Sequence, residues 1–125
     1  QVKSVKTGDK VGYGCSYEVL RPGKIAILPI GYYDGYSRMY SGKSAVLVNG
    51  RRAPIVGRIA MNMCMVDVSH IDGVSAGQIV TLLGQDKSSR ITAEELAEIS
   101  QTITYEVLTR IASHLPRMIT NLESI

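Results

Sequence analysis

The sequence predicts a mainly β fold: a small barrel-like domain of short antiparallel strands with one or two short helices near the C-terminus. Three observations carry this expectation. Through the first two thirds of the chain, short β-type runs alternate with turn residues. Asn49-Gly50 lies between two such runs and is the strongest short-range hairpin signature. A helix-start signature appears only late, as the capping box Thr92-x-x-Glu95.

Taken in order, Val2 to Lys6 alternates apolar and polar residues, the two-residue period of a half-buried strand. Thr7-Gly8-Asp9 turns the chain into Lys10-Val11-Gly12-Tyr13-Gly14, and Pro22-Gly23 turns it again. Lys24 to Tyr32 is a nearly continuous apolar run that ends at Tyr33-Asp34-Gly35. Tyr36 to Lys43 reads as a polar, tyrosine-bearing loop. Ser44 to Val48 and Arg51 to Ile55 are the arms of the hairpin, and Met63 to Val68 alternates once more. Asp72-Gly73 and Gly77 frame a surface turn before a further run, Gln78 to Leu83. The capping box opens a short helix carrying Leu96 and Ile99. A second helix from about Tyr105 shows an apolar stripe of Val107, Leu108, Ile111 and Ala112. Pro116 stops it, and Met118-Ile119 suggests a last strand.

The totals bound the possibilities. A chain of 125 residues with 45% apolar and 20% charged residues suits one globular domain, residues 1–125. No apolar run approaches the ~18 residues of a membrane span, and no signal peptide opens the chain. The first residue is Gln, which points to a piece of something longer. A net charge of +3 is spread along the chain and asks for no nucleic-acid partner. Cys15 and Cys64 lack CxxC spacing and read as free cytosolic thiols, while His70 and His114 offer no metal cluster. The aromatics are the anomaly. All seven are Tyr, and six of them fall between Tyr13 and Tyr40.

Gly42-Lys43-Ser44 fails as a phosphate loop, because Ser37 stands where the first glycine belongs and a β-type run follows. Gly12-Tyr13-Gly14 fails as a dinucleotide fingerprint, because Tyr17 takes the third glycine's place. Four segments survive. Gly12-Tyr13-Gly14-Cys15-Ser16-Tyr17 sets a phenol between two glycines, which free the backbone and expose the ring. Pro29-Ile30-Gly31-Tyr32-Tyr33-Asp34-Gly35 ends a buried strand in phenols and a turn. Gly57 to Asp67 places Met61, Met63 and Met65 in alternation, as on one face of a strand, where Met fills core gaps well. Thr104-Tyr105-Glu106-Val107 puts a phenol at a helix start, where an anion is favoured.

In this order, the stretches GYGCSY, PIGYYDGYSR, APIVGRIAMNMCMVD and TYEVLTRIASHLPR resemble the C-terminal β-domain of alanine racemase, from about Lys10 to Ile119. The resemblance implies a pyridoxal 5'-phosphate enzyme that interconverts L- and D-alanine in the bacterial cytoplasm and supplies D-alanine for peptidoglycan. It implies an absent N-terminal barrel that holds the cofactor, and a homodimer in which this domain serves the partner subunit's site. Residue by residue, Tyr13 matches the family's catalytic tyrosine, Met61 the methionine whose backbone N–H holds the substrate carboxylate, and Tyr32 a tyrosine lining the entrance. Tyr105 matches the tyrosine that hydrogen-bonds the cofactor phosphate. Ala60-Met61-Asn62 departs from the family's more common Cys-Met-Asp, which removes a carboxylate from the entrance, and Tyr33 replaces a common Ala. The same domain serves serine racemases, for which Tyr105 is a weaker fit. A different class is a non-enzymatic β-barrel module that binds an oligonucleotide by aromatic stacking or a protein. A salt-dependent shift of single-stranded nucleic acid would mark that class.

Overall fold

The computed structural model describes residues 1–120. Its strands are β1 (Val2–Val5), β2 (Lys10–Val11), β3 (Tyr17–Glu18), β4 (Gly23–Leu28), β5 (Ala45–Val48), β6 (Arg51–Val56), β7 (Cys64–Asp67), β8 (Gly84–Asp86) and β9 (Ser89–Ile91). Two helices follow, α1 (Ala93–Ile99) and α2 (Thr104–Thr109). The mainly β expectation with two late helices holds. The central sheet has the order β1-β4-β7-β6-β5, and all its pairings are antiparallel. Among the described residues β1 and β5 do not pair with each other, so the sheet stays open and forms no closed barrel. Two short ribbons, β2–β3 and β8–β9, stand apart from it.

Asn49 and Gly50 both adopt left-handed backbone, φ 51° and 74°, as a type I′ turn needs, and this pairs Val48 with Arg51. In β5, Val46, Leu47 and Val48 are all buried. The far side of Leu47 is closed by Thr81, which exchanges backbone hydrogen bonds with it. That bridge is all that the expected strand over 78–83 amounts to. Thr92 caps α1, its hydroxyl accepting from the Glu95 N–H at 3.1 Å. The Glu95 carboxylate accepts from Nη1 and Nη2 of Arg52, at 2.6 and 2.9 Å, and so joins the helix to the sheet. Of the stripe expected on α2 only Val107 is buried; Leu108 and Ile111 are exposed. Met118 and Ile119 are exposed and form no strand.

The region between β4 and β5 differs most from expectation. It is not a polar loop. Two 3-10 turns, Tyr32–Asp34 and Arg38–Tyr40, fold Tyr36 and Tyr40 inward to 6% and 4% exposure. Their rings meet edge to face, with centroids 5.0 Å apart. Among the described residues the buried Tyr36 hydroxyl has no hydrogen-bond partner, and burial pushes its phenol well above the usual value. These two phenols stand in the core where a chain without Phe or Trp has no other aromatic to place. Cys64 is also buried, its thiol pushed up to about 12 by desolvation, whereas Cys15 is exposed.

Candidate functional site

Gly12 and Gly57 adopt left-handed backbone, φ 84° and 72°, and each approaches the other so closely that a Cβ on either would lie 2.8 Å from its partner's Cα. This contact lays the loop bearing Tyr13 across the chain that leaves β6. The Tyr13 N–H then donates to the Arg58 carbonyl at 3.4 Å, and the Ser16 hydroxyl accepts from the Arg58 N–H at 2.7 Å. With glycine on each side, the Tyr13 ring stands 64% exposed.

Tyr32 arrives from another direction. Gly31 is buried against the Ala60 and Met61 backbone, and a Cβ there would overlap the Ala60 carbonyl oxygen. That fit lets the Tyr32 N–H donate to the Ala60 carbonyl at 3.1 Å and the Tyr33 N–H to the Met61 carbonyl at 2.9 Å. Met61 and Met63 lie in a bend before β7 and are exposed, 56% and 38%. The expected methionine face of a strand is therefore absent. Cys64 and Val66 fill the core in its place because β7 begins only at Cys64. The bend is closed by the Ala60 N–H donating to the Met63 carbonyl at 2.9 Å. Among the described residues, the Met61 N–H donates to no protein acceptor.

Tyr13, Tyr32 and Met61 come together in one cavity of about 480 Å³, with Ile59 and Asn62 also lining it. Among the described residues, Arg38 is the one lining residue with a formal charge. A phenol, an unengaged backbone N–H and a guanidinium around one space suit a small anionic molecule and a proton carrier. Nothing local in the sequence marks Arg38; the only signal is its place in the stretch that also holds Tyr32. Asn62 lines the cavity as a neutral group. Tyr33 does not line it, and faces a neighbouring hollow with Tyr32, Arg38 and Arg110. Tyr105 is not part of this cavity. It stands 76% exposed in the first turn of α2. Among the described residues, no group of three His, Cys, Asp or Glu side chains could hold a metal ion, and no helix is long and apolar enough to cross a membrane.

The turn carrying Tyr32 also bears Asp34, whose carboxylate contacts His114 Nε2 at 2.7 Å and accepts from the Gly31 N–H at 3.0 Å. The His114 contact first, and the Gly31 bond second, hold this carboxyl below its usual range. A depressed value in the folded state means that the contribution is complete above about pH 4 and lost as pH falls through the depressed value. Circular dichroism melts should therefore show Asp34→Asn less stable than the parent near pH 7, with the difference shrinking toward about pH 2. A constant difference across that range would remove Asp34 from the role.

Against known proteins, the family model described as alanine racemase, C-terminal domain, matches residues 1–119. The alanine racemase of Leptospira interrogans is 49% identical over 109 residues, which are 87% of this chain and 28% of that protein. The crystal structure of the Enterococcus faecalis alanine racemase (E.faecalis) superposes with a TM-score of 0.87 at 39% identity, covering 94% of this chain and 31% of that one. The Bartonella henselae enzyme, solved with covalently bound pyridoxal phosphate, superposes with a TM-score of 0.87 at 34% identity, covering 94% and 32%. The chain thus spans about a third or less of the length of these relatives.

Proposed function

Because the chain belongs to the alanine racemase C-terminal domain family, we propose that it is the β-domain of a two-domain racemase that interconverts L- and D-alanine. The observation that carries this reading is the shared cavity. Tyr13, Tyr32 and Met61 come from three separate segments and line one space of about 480 Å³.

In this reading Tyr13 takes or returns the Cα proton on one face of the substrate, as a general acid and base. The Met61 N–H holds the substrate carboxylate, which its lack of a protein acceptor supports. Tyr32 walls the entrance, and Arg38 adds positive charge beside it. Tyr105 reaches the phosphate of pyridoxal 5'-phosphate. Its exposure fits a contact at the cofactor's edge, with the other cofactor ligands on an N-terminal barrel. The cofactor's contribution, when bound, is an electron sink for the substrate's Cα. The domain works in a homodimer, with Tyr13, Tyr32 and Met61 serving the partner's barrel and Tyr105 its own. The exposed Cys15 and buried Cys64, both free, support a reducing bacterial cytoplasm, where the D-alanine made feeds peptidoglycan. Alanine is favoured over serine as substrate by the relatives, which are named alanine racemases.

Two experiments test this reading. The 125-residue chain alone should give no racemase turnover in a coupled D-alanine assay, and turnover by it would overturn the division of labour. In the full-length enzyme, a Tyr13→Phe subunit and a subunit lacking the barrel's cofactor-bearing lysine should each be inactive as homodimers. Mixed, they should regain activity, because one hybrid site then has both groups. No recovery from confirmed heterodimers would place Tyr13 in its own subunit's site.

A further inference from the structure

The Tyr32–Asp34 turn has no buried side chain, so packing does not fix where Tyr32 stands. Polar pins fix it instead, from two sides. Toward the cavity, the Tyr32 and Tyr33 N–H groups donate to the Ala60 and Met61 carbonyls. On the far side everything runs to the segment that follows α2. The Ala112 N–H donates to the Asp34 carbonyl at 3.1 Å, and Gly35 lies against the Arg110 carbonyl with no room for a Cβ. His114 Nε2 meets the Asp34 carboxylate at 2.7 Å, and the His114 ring stacks on Tyr33, with centroids 5.0 Å apart and planes 24° from parallel. An ionised carboxylate only accepts, so Nε2 carries the proton in this contact.

From this geometry we infer that Asp34 and His114 are positioning residues that set the stance of Tyr32 at the cavity mouth. The other oxygen of Asp34 closes the turn on itself through the Gly31 N–H, while the first oxygen binds His114. The same carboxylate therefore shapes the turn and anchors it. Without His114, the Tyr33 ring loses its stacking partner and the Asp34 carboxylate keeps only the bond to Gly31 within its own turn, leaving the Ala112 N–H on the Asp34 carbonyl as the polar link to the segment after α2. The turn then pivots on the Ala60 and Met61 carbonyls, and the Tyr32 phenol moves relative to Tyr13 and Met61. Substrate capture suffers, while proton transfer at Tyr13, which sits on a separate loop, does not. His114 lies 80 residues from Asp34 in sequence, so only the folded chain reveals the pairing.

The inference rests on the racemase reading, and the test separates the two. In the full-length holoenzyme, His114→Ala should raise the KM for alanine about three- to tenfold, with kcat within about twofold of wild type. His114→Gln, whose amide can donate from nearly the same place, should restore KM most of the way. Hydrogen exchange of the same proteins should show faster exchange at Gly31, Gly35 and Ala112 in His114→Ala and unchanged exchange in β4 and β7. An unchanged KM with unchanged exchange in His114→Ala overturns the inference. So does a fall in kcat at constant KM, or a His114→Gln enzyme as impaired as His114→Ala. Loss of protection spreading to β4 and β7 also overturns it, by showing a general structural role. If wild-type enzyme fails to racemise alanine, the racemase reading fails, and the exchange comparison still decides whether His114 holds the turn.

Discussion

If the proposed racemase role holds, Tyr13→Phe in the full-length protein will lower alanine racemisation by more than the ~10²–10⁴ usual for one lost acid/base group. Only one oxygen is removed. The ring is largely solvent-exposed and the loop is held by backbone contacts, so stability should stay within about 0.5 kcal/mol of the parent. The loss is larger than usual because racemisation needs a proton carrier on each face of Cα, and neither can serve for the other. A sharper readout is exchange of the Cα hydrogen with deuterated solvent, followed by NMR. The enantiomer whose hydrogen faces Tyr13 should cease to exchange, and the other should continue. Near-normal racemisation, or equal loss of exchange from both enantiomers, would take Tyr13 out of this role.

The second large effect concerns stability. Ile59 is 0% exposed yet lies beside the cavity, and its N–H donates to the Ser41 hydroxyl at 2.9 Å. Ile59→Ala removes methyl and methylene groups from a site pinned on both sides in sequence, by Arg58 against Ser16 and by Ala60 against Tyr32. The backbone there cannot collapse to fill the space, so the cost should be at the full ~2–5 kcal/mol of a large-to-small core change. Ile59→Val should cost ~0.5–1.5 kcal/mol. Urea denaturation of the 125-residue chain reads both. A loss below about 1 kcal/mol for Ile59→Ala would show that the cavity floor relaxes.

How much of this was legible in the sequence depends on whether local chemistry or distant packing made the decision. Asn49-Gly50 could be read because both residues must take φ > 0, and Thr92 could be read because a helix start leaves N–H groups unpaired. The β8–β9 hairpin carries no such signature, because its turn puts Lys87, not Gly or Asn, in left-handed backbone at φ 54°. Tyr36 and Tyr40 read as polar in a Ser- and Gly-rich stretch. Their burial comes from two 3-10 turns that no periodic pattern announces. The alternation of Met61, Met63 and Met65 imitated a strand, but a bend through 61–63 uses the backbone differently. In the sequence, only the family resemblance links Tyr13, Tyr32 and Met61. Their common cavity is a tertiary fact, as are the presence of Arg38 within it and the pairing of Asp34 with His114.

The meeting of Gly12 and Gly57 has a consequence for how this site tolerates change. Most contacts in a protein can drift, because a larger side chain on one partner is offset by a smaller one on the other. Here both partners are already the smallest residue, and both sit in backbone that other residues adopt only with strain. No compensating pair of substitutions exists. The loop holding Tyr13 therefore cannot be respaced against the chain leaving β6 by exchanging side-chain bulk across this contact.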